Sequence, residues 1–352
     1  MKKILIALSV LLLLVGCSAG GRNNSEEDKE KPELSVIKLA VNDSGHILNY
    51  IADAMGYLQE EGITVQYVHV NNDAEVFEGI RSGRIDIASS SGTNLPLQEI
   101  SSGLDLTIFG GYLLTGCMPV FARVDTPWTG IEDLIGKTVA CEPNVYALTG
   151  PLSDMGYDPL NQITWYETRN QEERIEAVKN GQADFGLVGT ALNYDVLQDP
   201  ELKIVTYAAD VLPEYSCCRA EALSMWVKEY PNTVKALLRA WIRAMEYYES
   251  HHEETVALTI KKTGTSEQDI RAYLDNPRFY LNPDPMKKSV LRAWNYMDHL
   301  GLLDESAQAI NILDHLNVEL YKQALDTCTE RYGKDNPKFY EKLQAQYARN
   351  NQ

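Results

Sequence analysis

Five short runs in this chain carry the residue types that let a small polar molecule approach a backbone closely. They are Ser44-Gly45-His46, Ser91-Gly92-Thr93, Thr115-Gly116-Cys117, Asn144 to Thr149, and Gly189-Thr190. Glycine leaves the main chain uncovered, while serine, threonine and asparagine bring donors and acceptors. A helix beginning at such a run presents unpaired N–H groups and a partial positive charge to whatever lies beyond it. The same residues are also the preferred N-caps of any helix, so a site requires that all five face one crevice. His46 is the sharpest single candidate, at the mouth of the first strand; a lone histidine there also serves as a cap or a surface residue. Tyr112, Tyr146, Trp165 and Tyr215 fall near the edges of the same crevice and can stack on a flat ring or fill a core. Arg169 and Arg219 are the nearest cations. A guanidinium fork suits a carboxylate, sulfonate or phosphate, though either arginine can instead pair with a surface acid. Neither a nucleophile–base pair nor a metal-ligand spacing stands out. Binding without catalysis, cofactor or metal is the expectation.

The elements that must position these runs alternate. Strand-like stretches at Ser35–Asn42, Ile63–Val70, Ile85–Ser89 and Leu104–Tyr112 are separated by helical stretches at Ile47–Tyr57, Asp73–Ser82 and up to about Ser102. The pattern restarts after Ile131, with strands at Lys137–Cys141, Ile163–Glu167, Asp184–Val188 and Leu202–Ala208, and helices at Gln171–Asn180 and Thr190–Leu197. Such alternation argues an α/β chain with parallel, doubly wound sheets. One phrase is written twice. Glu78-Gly79-Ile80-Arg81-Ser82-Gly83-Arg84-Ile85-Asp86-Ile87-Ala88-Ser89 recurs as Glu176-Ala177-Val178-Lys179-Asn180-Gly181-Gln182-Ala183-Asp184-Phe185-Gly186-Leu187. Each copy reads as a helix end, a glycine stop, an aspartate and a strand. Two copies of one αβ unit imply two similar lobes with a crevice between them, where the carboxyl ends of the strands meet ligands. Beyond Tyr230 the chain is almost wholly helical, with Val234, Leu237, Leu238, Trp241 and Met245 on one face.

Several of these stretches resemble one family. Gly56-Tyr57-Leu58 with Glu60-Glu61-Gly62-Ile63, the Ser82-Gly83 to Ala88 pattern, Ile131–Val139 and the helix after Tyr230-Pro231 are together similar to the NMT1/SsuA/ThiY-like superfamily. Its members include the sulfonate-, nitrate- and pyrimidine-type solute-binding proteins of ABC transporters. The resemblance runs from about Val36 to Met297. It implies a type II periplasmic-binding-protein fold, two doubly wound lobes joined by a two-strand hinge. Lobe 1 is expected from residues 34–124 and 214–352, with the helical C-terminal part packed on it, and lobe 2 from 125–213. It also implies that Tyr215-Ser216-Cys217-Cys218-Arg219 lines the base of the cleft, which adds Cys217 and Arg219 to the site. A small-molecule solute and an ABC permease are the implied partners, and a monomer is expected. The eukaryotic pyrimidine synthases of the same superfamily carry an iron-linked cysteine motif. Here the run is two cysteines, read as small thiols lining a pocket. An enzyme of that branch, or a sensory or adhesive ectodomain reusing the fold, are the alternatives to a receptor. The ligand is either a pyrimidine-type heteroaromatic or a sulfonate- or nitrate-type anion.

The N-terminus places the protein. Lys2 and Lys3 precede an apolar run to Val15, about 12 residues where a spanning helix needs about 20. Residues 1–16 therefore read as an export signal. Leu14-Val15-Gly16-Cys17 resembles a bacterial lipobox, which implies lipid on Cys17; an ordinary secretory signal is the plainer alternative. Residues 17–33 are polar and charged and suit a flexible tether. The expected location is the extracytoplasmic face of the cell membrane. A net charge of −18 repels phosphate backbones and argues against nucleic acid. Beyond Cys17 five cysteines remain, an odd number, so at least one thiol stays unpaired within the chain.

Overall fold

The computed structural model describes residues 30–42, 45–70 and 72–352. The signal, Cys17 and most of the expected tether lie outside the described residues, as does Ser44. Residues Pro32–Gln352 form one compact unit.

Among the described residues ten strands organise it: β1 (Val36–Val41), β2 (Thr64–His69), β3 (Leu106–Thr115), β4 (Pro119–Arg123), β5 (Thr138–Ala140), β6 (Thr164–Trp165), β7 (Phe185–Leu187), β8 (Leu202–Tyr207), β9 (Cys218–Leu223) and β10 (Tyr280–Leu281). In the first half β1 pairs parallel with β2, and β9 lies between the central segment and β3, which carries β10 at the edge. Single bridges Leu39–Ile87 and Ala88–Glu221 join β1 to β9, so the expected strand Ile85–Ser89 is reduced to two bridging residues. The second half is a five-stranded sheet in the order β6-β5-β7-β4-β8. The spatial logic is the same in both. Two parallel strands sit outside a third segment, then comes a strand that has crossed from the other half, and it runs antiparallel to its neighbours. The sheets are therefore mixed rather than purely parallel, because each takes in a crossing strand.

That pairing moves a boundary. The sequence reading ends the first segment of lobe 1 at Val124, but β4 hydrogen-bonds to β7 and β8 and belongs to the second sheet. The outward crossing is thus the short segment Gly116–Met118, between β3 and β4. The return crossing runs from Leu212 to Cys217, after the helix Ala208–Val211.

Both copies of the repeated phrase fold as a helix end and a glycine stop, and the second copy alone continues into a full strand. Helix Asp73–Arg81 ends ahead of Gly83 at φ +70°, and helix Glu172–Lys179 ahead of Gly181 at φ +72°. A side chain would be strained in that left-handed conformation. Helix Pro231–Ser250 buries Val234, Leu237, Leu238, Trp241 and Met245 completely, and Pro231 opens it where the missing N–H costs nothing. Each such side chain stabilises the core by roughly 1.5–3 kcal/mol relative to exposure. The C-terminal helices also reach the second half. Tyr296, on helix Lys287–His299, covers Gly150 of helix Tyr146–Asp154 and donates its hydroxyl to Asp154. Among the described residues no helix is long and apolar enough to cross a membrane.

Candidate functional site

His46 caps the helix Ile47–Ala54. Its backbone is extended, and its Nδ1 accepts the Asn49 N–H at 3.2 Å. The ring is fully buried and stacked on both sides, 4.0 Å from Tyr112 and 4.8 Å from Trp241 between centroids. Tyr112, on β3, accepts the Ile47 N–H at 3.0 Å. Trp241 donates its indole N–H to Asn49 Oδ1 at 3.1 Å, and Asn49 Nδ2 donates to the Tyr67 hydroxyl at 2.8 Å. The imidazole orientation is therefore set by three elements distant in sequence. Burial pushes its pKa down to about 3, so the ring is neutral. With Nδ1 accepting, the proton resides on Nε2. That N–H has no partner among the described residues. A buried unpaired donor is costly, so this N–H lacks a bond that the described residues do not supply.

A second cluster forms where the two crossings touch. Gly116 donates its N–H to the Tyr215 hydroxyl at 3.1 Å, and that hydroxyl donates to Met118 Sδ at 3.1 Å. Thr93 donates its N–H to the Cys217 carbonyl at 2.9 Å and its hydroxyl to the Ser216 carbonyl. From the second half, the Tyr146 hydroxyl donates to the Tyr215 carbonyl and approaches the Ser216 carbonyl at 3.2 Å. In this segment Glu214 and Ser216 sit at φ +51° and +54°, conformations rare for residues with a Cβ. Gly116 is needed for close approach. A Cβ there would stand 3.0 Å from Thr190 Oγ1 and 3.2 Å from Cys217 Sγ. Gly92 pairs with Cys218 in an antiparallel bridge beside buried Ser91. The Cys217 and Cys218 sulfurs lie 3.5 Å apart. Their shared hydrogen bond draws the Cys217 thiol below its ordinary pKa and pushes Cys218 well up. Burial holds the Cys117 thiol up at about 12. Cys117, Cys141, Cys217, Cys218 and Cys328 are all buried and unbridged.

The structure thus gathers Thr93, Gly116, Tyr146, Thr190 and Cys217 around Tyr215-Ser216, and places His46 on the aromatic wall of Tyr112. Other candidates serve the frame. Thr115 donates its hydroxyl to the Arg278 carbonyl at 2.7 Å, and Gly189 donates its N–H to Gln171 Oε1 at 2.6 Å. Asn144 reaches from the second half to Gln98 Oε1 at 3.1 Å. Trp165 donates to the Pro159 carbonyl at 3.1 Å and packs on the second-half core. Both arginines bond within the protein. Arg219 is fully buried and donates its Nη1 and Nη2 to the carbonyls of Asp284 and Leu113, while its Nε has no partner among the described residues. Arg169 is exposed and paired with Glu173 one helical turn on. Proximity in sequence to a strand mouth placed both near the crevice, but side-chain direction took each elsewhere.

Among the buried polar groups with no partner among the described residues, Ser89 Oγ, Asn193 Oδ1 and the Tyr273 hydroxyl escaped sequence reasoning. Ser89 had a signal, since it closes the repeated phrase just ahead of Ser91. Tyr273 had none, because it sits in an ordinary amphipathic helix.

Comparison with known proteins agrees with this architecture. Among solved structures, the periplasmic nitrate-binding protein NrtA from Synechocystis PCC 6803 superposes with a TM-score of 0.68 at 16% identity, covering 84% of this chain and 89% of that one. The periplasmic aliphatic sulphonate-binding protein SsuA from Escherichia coli gives 0.63 at 17% identity, covering 77% and 89%. Both show a periplasmic-binding-protein fold. In sequence, the 4-amino-5-hydroxymethyl-2-methylpyrimidine phosphate synthase of Candida albicans is 24% identical over 294 residues, 74% of this chain and 81% of that protein. The family model described as NMT1/THI5 like matches residues 43–255. With a single model reaching strands of both halves and covering more than half its length, this chain belongs to the NMT1/THI5-like family.

Proposed function

We propose that this protein is the extracytoplasmic solute-binding component of an ABC importer, and that it closes on an uncharged planar heteroaromatic of the pyrimidine type. His46 carries the reading. A neutral imidazole clamped between Tyr112 and Trp241 offers one N–H to a ring-nitrogen or carbonyl acceptor. It supplies no positive charge, and of the two arginines suited to an anion Arg169 pairs with Glu173 and Arg219 gives both its Nη atoms to backbone carbonyls. A sulfonate or nitrate would therefore lack the charge that the sequence reading gave it. In this reading the two halves hinge at Gly116–Met118 and Leu212–Cys217, and the solute favours the closed arrangement by bonding both. Lipid on Cys17 tethers the receptor beside its permease at the outer face of the cell membrane.

Calorimetric titration with 4-amino-5-hydroxymethyl-2-methylpyrimidine, nitrate and an alkanesulfonate tests the solute class. Stoichiometric binding of the pyrimidine alone supports it, and binding of either anion in its place rejects it. A second reading, an enzyme of the pyrimidine-synthase branch, is favoured by the paired thiols of Cys217 and Cys218 beside the crossing and by the Candida albicans relative. Mass spectrometry of the released solute separates the two: unchanged pyrimidine supports a receptor, an altered product an enzyme. The intact mass of the mature protein reports whether Cys17 carries lipid.

A further inference from the structure

The helix Glu267–Leu274 lies far in sequence from every candidate run, yet its last turn meets both halves of the molecule. A helix C-terminus leaves its final carbonyls without intrahelical partners. Here the Ala272 carbonyl accepts from Asn193 Nδ2 at 2.6 Å, and Asn193 begins the second-half helix Asn193–Gln198. The next carbonyl, that of Tyr273, accepts from the Cys117 thiol at 3.7 Å, in the outward crossing. The Tyr273 ring packs on Phe279 with centroids 5.2 Å apart. Burial raises the pKa of the Tyr273 phenol, and the neighbouring Tyr50 and Cys117 raise it further; Tyr273 does the same to Tyr112. Tyr50 stands over Gly45, next to His46. The Tyr273 side chain belongs to the same buried apolar cluster as Tyr112, Trp241 and Cys117. Tyr273 is 3% exposed and Asn193 fully buried, and neither the Tyr273 hydroxyl nor Asn193 Oδ1 has a partner among the described residues.

We propose that Tyr273 and Asn193 determine specificity at the inter-lobe site: the Tyr273 hydroxyl bonds the solute, while Asn193 docks the second half onto the same helical turn. Recognition and closure are then sensed by one element. The inference rests on the receptor reading above and sharpens its chemistry. His46 Nε2–H asks for an acceptor. Asn193 Nδ2 is committed to the Ala272 carbonyl, so its oxygen asks for a donor. The phenol takes either. A neutral ring bearing both an amino group and ring nitrogens meets all three.

The test has two arms. In the first, 4-amino-5-hydroxymethyl-2-methylpyrimidine is titrated into the wild type, Tyr273→Phe and Tyr321→Phe; Tyr321 carries another buried hydroxyl without a partner among the described residues. Tyr273→Phe should weaken binding by about tenfold with an unchanged melting temperature, and Tyr321→Phe should bind as wild type does. Equal affinity in wild type and Tyr273→Phe overturns the solute-bonding role. In the second arm, X-ray scattering compares wild type and Asn193→Ala without solute. A larger radius of gyration in Asn193→Ala supports its docking role, and an unchanged radius overturns it. If the wild type binds no pyrimidine, the receptor reading of this solute class fails, and the scattering arm still decides the docking role.

Discussion

Asp86 and Asp184 make the same bond in the two halves of the molecule. The Asp86 carboxylate accepts the Lys38 N–H at 2.8 Å, and the Asp184 carboxylate accepts the Thr138 N–H at 2.9 Å. Each aspartate also donates its own backbone N–H to the carbonyl of that same residue, at 2.9 Å in both cases. The repeated phrase thus encodes a clamp that ties the end of a helix to the first strand of its sheet, at β1 in one half and at β5 in the other. Asp86→Ala and Asp184→Ala should each lower stability by about 1 kcal/mol, and the double variant by the sum, because the sites share no partner. Chemical denaturation of the three variants checks this; a double variant no worse than either single one would contradict it.

Acid should loosen the protein through His46. The folded pKa of about 3 lies below the unfolded value near 6.5, so the unfolded chain binds the extra proton first. Stability is therefore complete above pH 6.5 and declines as pH falls from there toward 3. Between pH 7 and pH 5 the loss amounts to about 2 kcal/mol. His46→Asn keeps a good N-cap but cannot titrate, so over that interval it should lose about 2 kcal/mol less than the wild type does. Denaturant unfolding at pH 7, 6 and 5 distinguishes the two.

Gly116→Ala should impair closure. The new methyl meets Thr190 Oγ1 and Cys217 Sγ at distances where one neighbour has to move. Overpacking of this kind costs about 1–3 kcal/mol. Because the crowding lies between the crossings, solute affinity should fall further than thermal stability alone accounts for. Calorimetry and melting curves on one preparation give both quantities.

Arg219→Met should destabilise without touching recognition. The guanidinium serves the carbonyls of Leu113 and Asp284 and sits wholly inside the first half. Removing it leaves two buried acceptors short of donors, a loss of about 3 kcal/mol. Pyrimidine affinity measured at a temperature where the variant is folded should match the wild type. A selective loss of affinity would return Arg219 to the binding site.

Tyr146→Phe removes the hydroxyl that ties the second half to the return crossing. Since that hydroxyl bonds backbone at the hinge, the variant should lose about 1 kcal/mol of stability as well as affinity. A Tyr146→Phe protein with native melting behaviour and weakened binding would instead mark Tyr146 as a direct ligand contact.

What the amino-acid sequence determined by itself is everything with a short range. The alternation of strand and helix, the duplicated clamp around Asp86 and Asp184, the glycine stops and the apolar face of helix Pro231–Ser250 follow from periodicity and capping, which act within a few residues. His46 was legible for the same reason, as a cap at a strand mouth. Only the tertiary structure decided which half owns β4, since pairing partners lie in distant parts of the chain. It alone stacked Trp241 on His46, buried Arg219 on the carbonyls of Leu113 and Asp284 and set Tyr273 beside the Cys117 thiol. Those outcomes depend on side-chain direction and on contacts separated by many residues, and no local pattern carries that information.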